Sequence, residues 1–113
     1  MKTTSLVNKI SCSATEYVDG IYGALMTTRK VAVNCNFSDK DIQYLQLVTE
    51  EACTNAYEYC VGTKQSYFQV YWSYNEKELR IIVGHIGKKF EINHPSEINM
   101  GKRGRGLQLI IHF

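Results

Sequence analysis

The chain has 113 residues, with 13 Lys or Arg against 11 Asp or Glu and a formal net charge of +2. This length fits a single domain, residues 1–113, and the charge is too small to favour a nucleic-acid partner. The N-terminus leads into no apolar run long enough for a signal peptide or a membrane span, so we expect a cytoplasmic protein that does not bind membranes.

The first third of the chain predicts a strand followed by a helix. In residues 5–12, Leu6, Ile10 and Cys12 fall on one side at period two, with Asn8 as the exception, which indicates a strand. Ser13 and Glu16 have the spacing of a capping box, so the helix should begin there and run toward Val31, although two glycines weaken it. Its inner face should carry Tyr17, Ile21, Leu25 and Thr28.

The sequence predicts a second helix with stronger local signals. Ser38 is a good N-cap with Asp41 three residues on, and Phe37 and Ile42 stand at the hydrophobic-staple positions, so the helix should begin near Asp39. Gly62 should end it. At 100° per residue one apolar face contains Ile42, Leu45, Thr49, Ala52, Ala56 and Cys60.

Three polar residues of this helix fall on the side away from that apolar face. Glu51, Asn55 and Glu58 are four and three residues apart, which brings their side chains together. The Asn55 amide oxygen could ligate Mg²⁺, and the Glu51 carboxylate could accept a proton, as phosphoryl transfer from a nucleotide requires. A solvated polar helix face is the alternative interpretation.

The cysteines show no C-x-x-C spacing of the kind that zinc sites use, and two of them fall within the second helix. We therefore interpret them as buried, reduced thiols. A nucleophilic cysteine would need an oriented histidine, and sequence distance neither supports nor excludes such a pair. The four are Cys12, Cys35, Cys53 and Cys60.

The second half of the chain predicts a hairpin and then a glycine-rich segment. Residues 67–74 are aromatic or β-branched except Gln69 and Ser73, residues 75–77 form a turn, and residues 79–83 alternate. Ile82 and the aromatic density suggest that the second face is partly covered or contacts a partner. Residues 84–106 hold five of the eight glycines and the only proline, so this irregular segment should be functional or disordered. Leu107, Ile110 and Ile111 have helical spacing and predict a final helix.

Taken in order, the E-x-x-x-N helix, the strand entering a glycine turn and the G-x-G-L sequence resemble the Bergerat-fold (histidine-kinase-like) ATPase superfamily. Residues 45–58 are most similar to the bacterial anti-sigma factor serine/threonine kinases. The resemblance implies that Glu51 is the catalytic base and that Asn55 is the Mg²⁺ ligand and part of the ATP site. It also implies that Gly87 helps to shape the adenine pocket, and that a glycine loop opening a helix cradles phosphate. That loop comprises Gly104, Arg105, Gly106 and Leu107.

Two features depart from the family pattern. His85 stands where the family has the aspartate that accepts a hydrogen bond from adenine, and a neutral imidazole accepts one without the charge. An ordinary strand-end histidine, hydrogen-bonded to backbone, is the alternative. The chain also stops at Phe113, earlier than family members usually do. Either the sequence is incomplete, or the sheet lacks strands and leaves an exposed edge and an apolar face that another chain could cover, a second copy in a homodimer being one choice.

A short basic cluster precedes the last glycine loop. Lys102, Arg103 and Arg105 could neutralise a triphosphate or face an acidic partner, and a solvated loop is an equal alternative.

The expected fold is an α+β two-layer sandwich, a mixed and mostly antiparallel sheet with helices on one face. The resemblance implies an ATP- and Mg²⁺-dependent kinase that regulates a sigma factor through partner switching with a STAS-type anti-anti-sigma protein. The alternative function is a catalytically weakened or inactive regulator that binds partners on the same scaffold.

Overall fold

The computed structural model describes residues 2–85 and 107–113, and of His85 only the backbone. Within these residues the chain forms four strands and two helices. In chain order they are β1 (Thr4–Ser11), α1 (Tyr17–Asn34), α2 (Asp39–Thr63), β2 (Tyr67–Tyr74), β3 (Glu78–His85) and β4 (Leu107–His112).

The strands form one sheet in the order β1-β2-β3-β4, and each neighbouring pair is antiparallel. α1 contacts β1 and β2, whereas α2 contacts β2 and β3. This arrangement fits the predicted α+β class with two layers. The prediction of a mixed sheet is wrong for the described strands, since none of their pairings is parallel.

α2 begins where the sequence predicted, because the Ser38 hydroxyl accepts a hydrogen bond from the Asp41 amide at 3.2 Å. Its end was predicted wrongly. The helix passes through Gly62 to Thr63, and Lys64 takes the left-handed C-cap conformation with φ 59°. A lysine therefore occupies the position at which glycine is preferred.

α1 begins later and ends later than predicted. The Ser13 carbonyl accepts hydrogen bonds from the amides of Glu16 and Tyr17, so a turn fills the first residues. Glu16 is the N-cap and makes no side-chain cap bond, which rules out the predicted capping box. Near its start the helix lies close to β1, because a Cβ on Gly20 would stand 2.8 Å from Ile10 Cγ2.

The hairpin of β2 and β3 confirms the prediction for residues 67–83. Its turn is held by the Asn75 side chain, whose oxygen accepts hydrogen bonds from the amides of Lys77 and Glu78 at 2.8 and 3.0 Å. Ile82, on the face away from the helices, is only 4% exposed. That face is thus partly covered, as expected.

The predicted final helix is wrong. Residues 107–112 form β4, which pairs with β3 in the register Val83 to Leu107 and Leu79 to Ile111. Leu107 and Leu109 are buried at period two, as in a strand with one face in the core. The helical spacing of Leu107, Ile110 and Ile111 was a coincidence within a six-residue segment, too short for periodicity to decide.

A chain of hydrogen bonds crosses the core between sheet and helices. The Trp72 indole N–H of β2 donates to the Thr28 hydroxyl of α1 at 3.0 Å, and that hydroxyl lies 3.1 Å from the Thr49 hydroxyl of α2. Thr49 donates its own proton to the Leu45 carbonyl at 2.8 Å, so Thr28 must be the donor to Thr49. These buried donors are thereby satisfied, which fixes both helices on the sheet.

Candidate functional site

The polar side of α2 faces away from both the core and α1. On the α1 side, the Tyr57 ring stacks on Tyr17 with centroids 4.0 Å apart, and the Gln46 amide donates to the Leu25 carbonyl at 3.1 Å. The α2 residues Ala52 and Ala56 are buried toward the core. α1 therefore occupies the flank of α2 opposite the predicted site.

Glu51 and Asn55 are both exposed on this remaining side of α2. One helical turn separates them, which places their Cβ atoms about 5–6 Å apart. α2 therefore carries an exposed carboxylate and an exposed carboxamide one turn apart. Exposure alone is equally compatible with the solvated polar face that the sequence left as the alternative.

Asn55 lines a shallow depression of about 280 Å³ on the outer side of the last turns of α2. A Cβ on Gly62 would meet no atom within 4 Å, so the missing side chain leaves the floor open. This volume is just below the range of about 300–1,000 Å³ that is usual for ligand pockets. The described lining residues are Asn55, Glu58, Tyr59, Gly62 and Thr63.

The depression groups Asn55 with Glu58, and Glu51 is outside the described lining. The oxygens of Asn55 and Glu58 are the hard donors that Mg²⁺ prefers, so the donor chemistry fits the predicted ion. Sequence reasoning missed Tyr59 and Thr63. Their spacing of four and eight residues from Asn55 along one helix face was the signal that could have found them.

The other predicted site residues belong to the last third of the chain. His85 ends β3 and pairs with Phe68 of β2. Leu107 was predicted at the opening of a phosphate-binding helix, but it begins β4 and is only 6% exposed. Six further predicted residues lie outside the described residues: Gly87, Lys102, Arg103, Gly104, Arg105 and Gly106.

The two ends of segment 86–106 are held at the same end of the sheet. His85 pairs with Phe68, and Leu107 pairs with Val83. The last turn of α2 leads to this end, since Gln65 donates to the Cys60 carbonyl at 2.9 Å and β2 begins at Tyr67. The depression and the flanks of the glycine-rich segment thus belong to the same end of the domain.

The central cysteine of α2, Cys53, is fully buried, so an external substrate cannot reach its thiol. Burial also raises the pKa of this thiol to about 12, and the nearby Glu50 carboxylate adds to the effect. Such a thiol stays protonated near neutral pH and behaves as a small apolar side chain. Cys53 is therefore a poor candidate for the nucleophile that the sequence left open.

A second, more polar depression of about 340 Å³ lies near the opposite end of the sheet, and the sequence did not predict it. One wall is fixed by the Asn34 amide, which donates to the Tyr74 hydroxyl at 3.2 Å. The lining comprises Lys2, Thr4, Asn34, Cys35, Asn36, Tyr74, Asn75, Glu76 and Phe113.

Within residues 2–85 and 107–113, no group of three or more His, Cys, Asp or Glu side chains is placed to hold a metal ion. In the same residues neither helix combines the length and the apolar character needed to cross a membrane.

The described residues define an α+β domain with an antiparallel four-stranded sheet, two helices and an exposed polar strip on α2. Comparison with known proteins adds no family to this description, since no protein-family model and no curated protein matches the chain.

Proposed function

We propose that the chain is an ATP-binding serine/threonine kinase of the anti-sigma factor type, built on the Bergerat fold. Its target would be a STAS-type anti-anti-sigma protein, and partner switching with that protein would control a sigma factor. The observation that carries the proposal is the exposed pair of Glu51 and Asn55, one turn apart on α2, with Asn55 at the edge of a depression.

The proposed roles follow from the chemistry of each group. The Asn55 carboxamide oxygen would hold Mg²⁺, which when bound neutralises phosphate charge. Glu51 would accept the proton of the attacking serine hydroxyl, and an exposed carboxylate on a rigid helix is accessible to a protein substrate. Glu58 adds a second oxygen donor beside Asn55.

The position of the two residues that flank segment 86–106 also supports the proposal. Its flanking residues, His85 and Leu107, lie at the end of the sheet that receives the last turns of α2. In this proposal Gly87, Gly104, Arg105 and Gly106, which belong to that segment, would contact a nucleotide held at Asn55.

A second candidate function is a partner-binding regulator that keeps this scaffold without catalysis. Two observations favour it. Residues 107–112 form a strand, so the helix whose N-terminus would bind phosphate in the family does not begin at Leu107. The position of the adenine-binding aspartate is occupied by His85.

Calorimetric titration of the folded protein with ATP and Mg²⁺ separates the two candidates. The kinase predicts saturable binding that Asn55→Ala abolishes, because the substitution removes the ion's ligand. The matched control is Gln43→Ala, which removes an exposed carboxamide that lies more than three helical turns from Asn55 on α2. It should bind like the wild type. Absence of heat with a folded protein at high ATP would contradict the kinase and support the regulator.

Glu51→Gln tests the proposed role of Glu51 as the catalytic base. It should leave ATP binding unchanged and lower ATP turnover, measured as phosphate release, by about 10²–10⁴-fold. Glu50→Gln removes the same charge from the neighbouring exposed position, which points toward the α1 side of the helix, and should keep full turnover. Equal losses in the two variants would contradict the assignment of Glu51.

A further inference from the structure

The end of β1 and the last turns of α2 meet at one corner of the domain. Cys12, the residue after β1, donates its amide proton to the Ser66 carbonyl at 2.9 Å. Gln65, immediately before Ser66, donates to the Cys60 carbonyl at 2.9 Å. Two backbone hydrogen bonds therefore bring Cys12 and Cys60 to the same short connection between α2 and β2.

The side chains of these two cysteines meet within the core. The Cys12 and Cys60 thiols are in hydrogen-bonding contact; Cys60 belongs to the main hydrophobic cluster, and Cys12 packs against that cluster. Their burial differs, since Cys60 is fully buried whereas Cys12 is half-buried. Burial, followed by contact with Cys12, raises the pKa of Cys60 to about 12. Both residues are thiols in this structure.

We propose that Cys12 and Cys60 form an oxidative modification site, at which a hydroperoxide oxidises Cys12 and Cys60 closes an intramolecular disulfide. The difference in burial between the two cysteines indicates which is oxidised first and which then closes the disulfide. Cys12 is the thiol that solvent reaches, so it meets the oxidant first. Cys60 is shielded from the oxidant and reacts only with its neighbour, as a resolving thiol does.

The chemistry balances without a cofactor. The Cys12 thiolate attacks one peroxide oxygen, the O–O bond breaks, and the departing oxygen takes a proton to leave as water or alcohol. Cys12 is then a sulfenic acid. The departing hydroxyl of the Cys12 sulfenic acid takes the proton of the Cys60 thiol as the Cys60 sulfur attacks the Cys12 sulfur, and the S–O bond breaks to release water. Two thiols lose two electrons, which the peroxide accepts, and a dithiol reductant reverses the disulfide.

The cross-link would connect β1 to the helix turns that line the Asn55 depression, since Cys60 lies between Tyr59 and Gly62. A covalent tie between distant parts of the sequence restricts the unfolded chain. We therefore expect the oxidised protein to melt at a higher temperature than the reduced protein. The inference does not depend on the proposed kinase activity.

The test treats the reduced full chain with hydrogen peroxide and follows it by intact mass and peptide mapping. The wild type should lose about 2 Da, the mass of two hydrogens, with the bond mapped to Cys12 and Cys60. Cys35→Ser, which removes the other half-buried thiol, is the matched control and should still close the bond. Cys12→Ser should not.

Cys60→Ser distinguishes the two roles. Without its resolving partner, Cys12 should accumulate as a sulfenic acid that dimedone labels, and Cys60→Ala replaces this variant if the buried hydroxyl prevents folding. The proposal is overturned if the wild type loses no hydrogens, if the bond maps to another cysteine or joins two chains, or if Cys12 resists dimedone in both Cys60 variants. None of these measurements uses nucleotide, so their failure is distinct from failure of ATP binding.

Discussion

The inner and outer faces of α2 differ in what the fold demands of them. The inner face is packed against sheet and α1, and every residue predicted there is buried: Ile42, Leu45, Thr49, Ala52, Ala56 and Cys60. The outer face carries Glu51, Asn55 and Glu58, all exposed. Packing in the core explains why each inner residue is present. The described contacts give no such explanation for the three outer residues, so their roles must be tested by activity and binding measurements.

The largest expected effect contrasts two neighbouring residues of α2. Leu45 is 2% exposed and Tyr44 is 63% exposed. Leu45→Ala should lower the free energy of unfolding by about 2–5 kcal/mol, since it leaves a cavity in the core, and Tyr44→Ala should change it by no more than about 0.5 kcal/mol. Urea denaturation measures both. Similar losses would mean that Tyr44 is also packed, and the contrast between the faces would fail.

An intermediate effect is expected at the polar part of the inner face. Thr49→Val keeps the side-chain shape but removes the acceptor for Thr28, which leaves a buried hydroxyl proton unsatisfied at a cost of about 1–3 kcal/mol. Thr63 is the matched control, because its hydroxyl donates to the Tyr59 carbonyl in the same way but at an exposed position. Thr63→Val should cost less than about 0.5 kcal/mol in the same denaturation experiment.

The smallest effect compares the same substitution at two helical glycines. Gly62→Ala on the open side of α2 should raise the free energy of unfolding by up to about 1 kcal/mol through helix propensity alone. Gly20→Ala in α1 gains the same propensity but places a methyl group 2.8 Å from Ile10 Cγ2, so it should stabilise less or destabilise. Thermal melting compares the two. A larger gain at Gly20 would contradict the close approach of α1 and β1.

The elements that sequence reasoning predicted well have strong local signals. The Ser38 cap and the apolar stripe specify α2, and the aromatic run from Tyr67 with the Asn75 turn specifies the hairpin. In each case local chemistry and burial favour the same structure, so a single sequence suffices.

The wrong predictions share a physical cause. In each case the local sequence is compatible with two structures, and contacts with the rest of the fold select one of them. Ser13 and Glu16 have capping-box spacing, yet the chain leaving β1 first makes a turn. Gly62 could end a helix, but α2 continues to Thr63, and Lys64 is the C-cap from which the chain enters β2. Leu107 and its neighbours suit a helix or a strand, and pairing with β3 selects the strand.

For the candidate site, the sequence predicted which side chains share a face of α2 but not the shape of the depression beside them. Helical periodicity places Glu51 and Asn55 together, because spacing fixes which side chains share a side of a helix. The grouping of Asn55 with Tyr59 and Thr63 depends on the shape left by Gly62, and spacing does not report shape. Whether a ligand uses that shape is a property of affinity, which the proposed titration measures.

Trp72 is the only tryptophan of the chain, and it is fully buried with its indole nitrogen bonded to Thr28. Its fluorescence therefore comes from one apolar environment whose polar contact is supplied by α1. Loosening of that helix from the sheet would expose the indole to water and shift its emission to longer wavelength. The protein thus contains an intrinsic optical reporter of helix docking that needs no added dye.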